Sequence, residues 1–412
     1  MSRLEELIQQ HCPDGVEYKP LGEVCDFRNG FAFKSNLFTD DGCPIIRITN
    51  ISENNVDMTD LKYFHMEDYP KSDLSQFAIK KGDILVAMSG ATTGKIGAYK
   101  SDITAYLNQR TGKFEPKECL NNRFLYHFLL TQVSNMYIMA GGGAQPNLSS
   151  NDLKTKIKIP VPPLPVQEEI VRILDNFAEL QAELQAELQK RLQQYHYYRD
   201  KLLSFNDLNG GGYAVSVEWK KLDEICFATS NIKWKNTNEQ YEYIDLTSVD
   251  IDTHAIVATS TIDSETAPSR AQQIVKQGDV IFATTRPTQM RVCLIPPKYD
   301  GAICSTGYCV LRPDNTKVLP SFLFFILSIE DFKRYLEQKQ TMGNYPAISN
   351  KLLKEYAIPV PSLAEQQRIV DILDRFNTLT TDITAGLPAE IEARRKQYEY
   401  YRDQLLTFKQ KA

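Results

Sequence analysis

The stretch IPVPPLPVQEEIVRILDNF at residues 159–177 returns as IPVPSLAEQQRIVDILDRF at 358–376, and QYHYYRDKLLSF at 194–205 returns as QYEYYRDQLLTF at 397–408. Of these 31 aligned positions, 21 are identical. A period near 200 residues is too long for a solenoid, so the chain reads as one large unit duplicated. Weaker echoes extend the match. GVEYKPLGEV at 15–24 pairs with SVEWKKLDEI at 216–225, and IIRITNI at 45–51 with YIDLTSV at 243–249. KKGDILVAM at 80–88 pairs with KQGDVIFAT at 276–284, and FLYHFLL at 124–130 with FLFFILS at 322–328. Each copy is thus a globular module of roughly 145 residues followed by a long helical segment.

Inside each module, β-branched and aromatic runs bounded by Gly, Asp and Pro predict strands, and the Lys-Gly-Asp and Gln-Gly-Asp turns mark strand starts. FLYHFLL and FLFFILS, dense in aromatic and leucine residues, predict buried helix. The expected fold class is α+β: two similar mixed modules separated by two long antiparallel coiled-coil segments, with pseudo-two-fold symmetry. The modules are expected at 1–160 and 211–359, the helical segments at 161–210 and 360–412.

The clearest helix runs from Val166 to Phe205. Ile170, Ile173, Phe177, Leu180 and Leu184 step by 3 and 4, as a coiled-coil seam requires. Gln-Ala-Glu-Leu then occurs twice at 181–188, so Leu184, Leu188 and Leu192 step by 4. Four residues turn through about 400°, and each such step swings the stripe by about 40°. Forty helical residues span on the order of 60 Å. In the second copy, Gly386-Leu387-Pro388 supplies a stop and a start. Helices are expected from about Leu363 to Ala385 and from about Pro388 to Lys409. The first strut leads into EWKKLDEI, whose counterpart EYKPLGEV lies near the start of the chain. The two chain ends are therefore expected to be neighbours.

At 412 residues the chain has room for two or three domains with their own cores. Eight cysteines without CxxC pairs point to free thiols in a reducing cytoplasm. No apolar run is long enough to span a membrane, and the charged start argues against a secretory signal, so a cytoplasmic location is expected. The net charge of −5 lacks the basic surplus of many nucleic-acid binders.

Catalytic lettering is missing. Gly90 to Ile96 imitates a P-loop but is one residue short and lacks the hydroxyl that meets the metal. Pro13-Asp14 with Glu17 to Lys19 has nuclease-like letters too close together to be borne on separate strands. There is no HExxH, no G-x-S-x-G and no GxGxxG after a strand. The five histidines lack partners at metal-ligand spacing. A reader or scaffold is expected, with no catalytic residue, metal or cofactor of its own.

The modules share a frame and differ where loops are expected. After one strand come Ser89, Thr92, Thr93 and Lys95; after its counterpart come Thr285, Arg286, Gln289 and Arg291. Hydroxyls, glycine amides and lysine suit phosphate, whereas Arg and Gln suit guanine and adenine edges. A second pair of loops precedes the struts, with Gln145 and Asn147 in one copy and Asn344 and Tyr345 in the other. Further candidates are Lys34, Arg47, Asn50, Gln109 and Arg110, and in the second module Lys233, Trp234, Lys235 and Arg270. Like frames, unlike loops and a stiff spacer suit the reading of two short DNA sequences at a fixed separation.

The strut motifs QEEIVRILDNF, QYHYYRDKLLSF, EQQRIVDILDRF and GLPAEIEARRKQYEYYRDQLLTF, with the tandem tetrapeptide, resemble the specificity (S) subunits of Type I restriction-modification systems, most like the IC subgroup. The resemblance covers the whole architecture, strongly in the struts and weakly in the modules. It implies that each module is a target recognition domain for one half of a split site on double-stranded DNA. It implies that the struts bind two methylation subunits, here through Tyr195, Tyr198, Arg199, Tyr398, Tyr401 and Arg402, and that two restriction subunits then join. S-adenosylmethionine, ATP and magnesium would belong to those partners. Gln181, Leu184, Gln185 and Leu188 match the element whose copy number sets the spacer, although relatives often begin it with Thr. The alternatives are the recognition subunit of a bipartite Type II system and a coiled-coil adaptor that never touches DNA.

Overall fold

A computed structural model of the protein describes residues 3–52, 54–141, 146–205, 217–381 and 386–411. The chain divides into two compact units, one of residues 1–183 with 392–412, the other of 184–391. Each contains a module, the first part of the helical segment that leaves it, and the last part of the segment contributed by the other copy.

In the first unit the Lys-Gly-Asp turn does what its letters suggest. Gly82 sits at φ 96°, and the Asp83 carboxylate accepts from the Lys80 amide at 3.0 Å. Strand Ile84–Ala87 follows with all four residues buried. A central strand covered on both faces reads as an unbroken apolar run. The larger sheet runs in the order Cys25–Asn29, Thr111–Pro116, Ile84–Ala87, Ile96–Ala98, Asn54–Val56, Ile51–Ser52. A smaller sheet runs Lys62–Phe64, Cys43–Ile46, Ala105–Leu107, Ala78–Ile79, with its two middle strands parallel. Helix Asn122–Thr131, capped by the Asn121 side chain, buries every residue from Phe124 to Leu130.

The second unit repeats this plan. Gly278 lies at φ 85°, and the Asp279 carboxylate accepts from the Lys276 amide at 2.7 Å. Its larger sheet runs Cys226–Phe227, Tyr308–Pro313, Val280–Ala283, Val292–Leu294. Its smaller sheet runs Ser260–Ile262, Tyr241–Ile244, Ile303–Ser305, Ala271–Ile274. Nothing among its described residues matches the two short strands at 51–56. A two-residue-longer turn spans 250–255 instead, closed by the bridge between Val249 and Ile256.

The central helix is one element, Leu164–Ser204. Residues 164–183 belong to the first unit and 184–204 to the second. Its buried stripe is Val166, Ile170 and Leu174, all fully enclosed. The expected seam holds as far as Phe177, with Ile170 fully enclosed and Ile173 and Phe177 half-buried against the same core, and ends there: Leu180 is 49% exposed. No residue of this helix from 175 to 194 is buried. Val166, Ile170 and Leu174 join the core of the module itself, and the module fixes the rotation of the helix.

The C-terminal segment forms helix Leu363–Thr381 and helix Leu387–Leu405, with 382–385, including the expected stop at Ala385, outside the described residues. In the first unit Phe177 stacks on Tyr401, with ring centroids 5.5 Å apart. Strand Tyr18–Pro20 pairs with Lys158–Pro160, just ahead of the central helix. The chain end returns to that place: the Val16 amide donates to Lys409 at 2.8 Å, Val16 accepts from Lys411, and the Tyr18 hydroxyl donates to Phe408. The two ends are neighbours, and the two helices of this unit run antiparallel. In the second unit, Tyr195 and Leu203 share a core with Ile369, Val370 and Leu373, and Tyr198 stacks on Phe376.

One buried side chain locks each helix start. Gln167 is fully enclosed, accepts from the Asn121 amide and donates to the carbonyls of Cys119 and Pro162. Gln366 does the same with Leu319, Lys317 and Pro361. All eight thiols are free, and burial pushes those of Cys25, Cys226 and Cys293 up to about 12. Among the described residues, no helix is long and apolar enough to cross a membrane.

Candidate nucleic-acid interface

In the first module the loop after strand Ile84–Ala87 closes on itself, the Gly94 amide donating to Ala87 and the Ala87 amide to Lys95. Gly94 lies at φ 82°, and a Cβ there would come within 3.1 Å of the Val133 carbonyl, so only glycine fits. Ser89 bridges Asn147, the Gly90 amide donates to Pro146, and the Leu148 amide donates to Met88 at 2.7 Å. The two loops singled out by sequence are thus bonded side by side. Two more join them: Thr92 donates its hydroxyl to Ile48 at 3.0 Å, and the Met88 amide donates to Arg110 at 2.9 Å. The segment carrying Lys34 is tied in through Gly30 to Thr111 and Phe31 to Leu107.

The second module builds the same junction. Thr285 bridges Ala347, the Arg286 amide donates to Pro346 at 2.7 Å, and the Ile348 amide donates to Thr284 at 2.9 Å. Thr284 in turn donates its amide to Gly307, the counterpart of Arg110, and Thr306 donates its amide to Arg270. A Cβ at Gly307 would fall 2.8 Å from Leu246, so this module places no side chain where the first presents Arg110. Lys233 and Lys235 are exposed and flank Trp234, whose indole donates to Ala271 at 2.8 Å. Asn344 and Tyr345 are exposed.

Several candidates are committed to architecture instead. Asn50 is 2% exposed, accepts from the Arg47 amide and donates to Asp60, so it holds the 47–50 turn. Thr93 is buried and donates to Gly90. Arg291 donates to the carbonyls of Leu246 and Val249, pinning a turn from within. Arg47 is half-buried against Asp60. Gln289 is exposed but lines a cavity of about 760 Å³ with Tyr195, Arg199, His254 and Phe324. Lys95, Ser89, Thr92 and Thr285 are half-buried, Gln109 and Asn147 exposed, and Gln145 lies outside the described residues.

The charge pattern is more telling than the total. Arg3, Arg28, Arg47, Arg123, Arg312 and Arg334 each pair with a carboxylate. Arg110, Arg270 and Arg286 are exposed and lie outside the ion pairs of the described residues. All three sit at the loop junctions. A carboxylate paired with each would cancel its field, and among the described residues no ion pair claims any of the three.

The expected partner-facing tyrosines also divide. Tyr195 and Tyr398 are each 7% exposed. The Tyr398 hydroxyl lies 2.9 Å from His127 Nδ1, and His127 Nε2 lies 2.8 Å from Asp175. Arg199 is buried over the Tyr195 ring. Arg402 lies over Tyr398 and pairs with Asp403. Each of those four residues is committed to contacts inside its own unit. Exposed tyrosines remain: Tyr198 and Tyr401 as expected, and Tyr197 and Tyr400, both 62% exposed, which sequence reading passed over. The signal was present, since the YY pairs put one ring on each side of the helix stripe.

Comparison with known proteins agrees with this geometry. A family model described as the Type I restriction modification DNA specificity domain matches twice, at residues 13–194 and 215–393. The specificity subunit of the type I restriction enzyme EcoR124I/EcoR124II of Escherichia coli is 34% identical over 306 residues, 69% of this chain and 70% of that one. A type I specificity subunit of Haemophilus influenzae is 30% identical over 98% of both chains. A chain solved in work on complex assembly and conformational transition of the type I R-M system shares the fold, with a TM-score of 0.59 and 18% identity over 96% of this chain and 98% of that one. The chain belongs to the specificity subunits of Type I restriction-modification systems.

Proposed function

We propose that each module reads one half of a split, asymmetric DNA site, and that the helices dock the methylation subunits. The observation that carries this reading is the repeated loop junction. One backbone frame presents Lys34, Lys95, Gln109 and Arg110 in the first module and Lys233, Lys235, Arg270 and Arg286 in the second. Phosphate contacts position a protein on DNA, and base-edge contacts specify sequence. A shared frame with different donors does both, with a different outcome in each half. The exposed tyrosines at 197, 198, 400 and 401 offer the helical surface to two methylation subunits, and two restriction subunits join the resulting complex. In this reading the chain is non-catalytic, and S-adenosylmethionine, ATP and magnesium are handled by those partners.

The expected outcome is separable damage. Arg110→Ala should relax recognition in one half-site and Arg286→Ala in the other, with the methylation subunits still copurifying. Methylome sequencing of cells carrying each variant reads this directly. Both half-sites changing together, or neither, would overturn the assignment of one module to each half. The likeness to a type I relative over the full length of both chains favours this over a bipartite Type II subunit.

A further inference from the structure

We infer that Arg286, backed by the ring of Tyr345, reads a guanine in the half-site contacted by the second module; this rests on the reading above. The Arg286 guanidinium lies 5.3 Å from the Tyr345 ring centroid. The ring is 74% exposed, and Arg286 itself is exposed. Burial therefore does not explain the pair. Stacking covers one face of the guanidinium and leaves its in-plane N–H donors free. Those donors form a rigid fork that matches the O6 and N7 acceptors of guanine, the commonest specific contact in the major groove.

Three further observations point the same way. No ion pair among the described residues claims Arg286, whereas Arg312 of the same module is held by Asp279 at 2.7 Å. The Arg286 backbone lies at φ 50°, ψ 55°, a left-handed conformation that costs a non-glycine residue energy, and Pro287 follows it. Met290, at the far end of the same short turn, is also left-handed at φ 54°. Strain on both sides of one exposed turn is kept where the surroundings over-determine it. Here the Arg286 amide is bonded to Pro346, the residue after Tyr345, so the same contact that holds the strained turn sets the ring beneath the guanidinium. A side chain ordered before binding loses less rotamer freedom on binding. The equivalent position in the first module is Gly90, so this device belongs to one half-site only.

The test uses the complex copurified with its methylation subunits and duplexes carrying the motif mapped from the methylome. Each guanine is replaced in turn by 7-deazaguanine, which lacks the N7 acceptor. One replacement should weaken wild-type binding roughly 5- to 150-fold. Arg286→Gly, which keeps the left-handed backbone without strain, should bind the normal and replaced duplexes alike. Arg286→Lys should fail to restore discrimination, and Tyr345→Phe should retain it, since only the ring is needed. If every replacement that matters is felt equally by wild type and Arg286→Gly, or if no guanine matters, this inference is overturned while motif preference over scrambled DNA persists. Loss of that preference in the wild type would instead sink the proposed function as a whole.

Discussion

His127 shows how two nearly identical halves diverge through one side chain. It is fully enclosed between Asp175 of the central helix and Tyr398 of the C-terminal helix. The second copy has Phe325 at the matching place, FLFFILS against FLYHFLL. Burial lowers the His127 imidazole below its ordinary value, with Arg123 and Arg402 adding to the effect against the pull of Asp175. Burial alone would raise the Asp175 carboxyl, but hydrogen bonds from His127 and Arg123 outweigh it and bring it down to about 2. A folded-state value below the unfolded one means the contribution is present above the unfolded pKa and is lost as pH falls. For His127 that loss begins below about pH 6.5; for Asp175 it comes only as pH falls from about 4 towards 2. His127→Phe should therefore flatten the decline in urea midpoint between pH 7 and 5, while lowering the midpoint at pH 7 because the buried Tyr398 hydroxyl loses its acceptor, a cost of about 1–3 kcal/mol. Adding Tyr398→Phe should recover part of that cost; an unchanged pH slope would contradict the account. Little of this was legible in the sequence. A lone histidine in an apolar run carries no mark of which distant helix will meet it, and nothing in the letters around Gln167 and Gln366 marks them as glutamines that the fold encloses. Arg286 and Tyr345 were legible as types, but Arg291 and Asn50 were not separable from them, because only the fold shows which donors are already bonded.

The helices were the most legible elements, and the central one ends within two residues of expectation. Its seam was legible as far as Phe177 and overextended beyond it, because a spacing pattern gives an apolar stripe without saying what covers it. The module packs on Val166, Ile170 and Leu174, so those positions, and not Leu180 or Leu184, anchor the helix. Leu174→Ala should cost about 2–5 kcal/mol through the cavity it leaves. Deleting Gln185–Leu188 removes no buried residue and should shift stability far less, a contrast that parallel urea titrations of the two variants would check. Equal losses would contradict the placement of the core. The strands after the Lys-Gly-Asp and Gln-Gly-Asp turns were legible for the same local reason, since an aspartate three residues on bonds back to the first amide. Convergence of the loops was not. It depends on pairing between residues such as Ser89 and Asn147, far apart in the chain and not distinctive in themselves.

For the molecule as a whole, the net charge of −5 counted against a DNA reader, yet a total cannot show where cations stand unopposed. Six arginines of the modules pair with carboxylates and Arg291 with backbone carbonyls, whereas no ion pair among the described residues claims Arg110, Arg270 or Arg286. The duplication, the return of the chain end to Val16 and the shared helix starts describe one design used twice, with different loop chemistry mounted on it. We propose that the tandem tetrapeptide at 181–188 sets the separation of the two half-sites and leaves the loops that read them untouched. Four helical residues correspond to about 6 Å of length.

The most direct measurement is methylome sequencing of cells in which Gln185–Leu188 has been deleted from this subunit. A calibrated spacer gives methylation at the same two half-sequences across a shorter gap. Methylation at altered half-sequences with the original gap would show that these residues take part in base reading, and the two-probe account would fall.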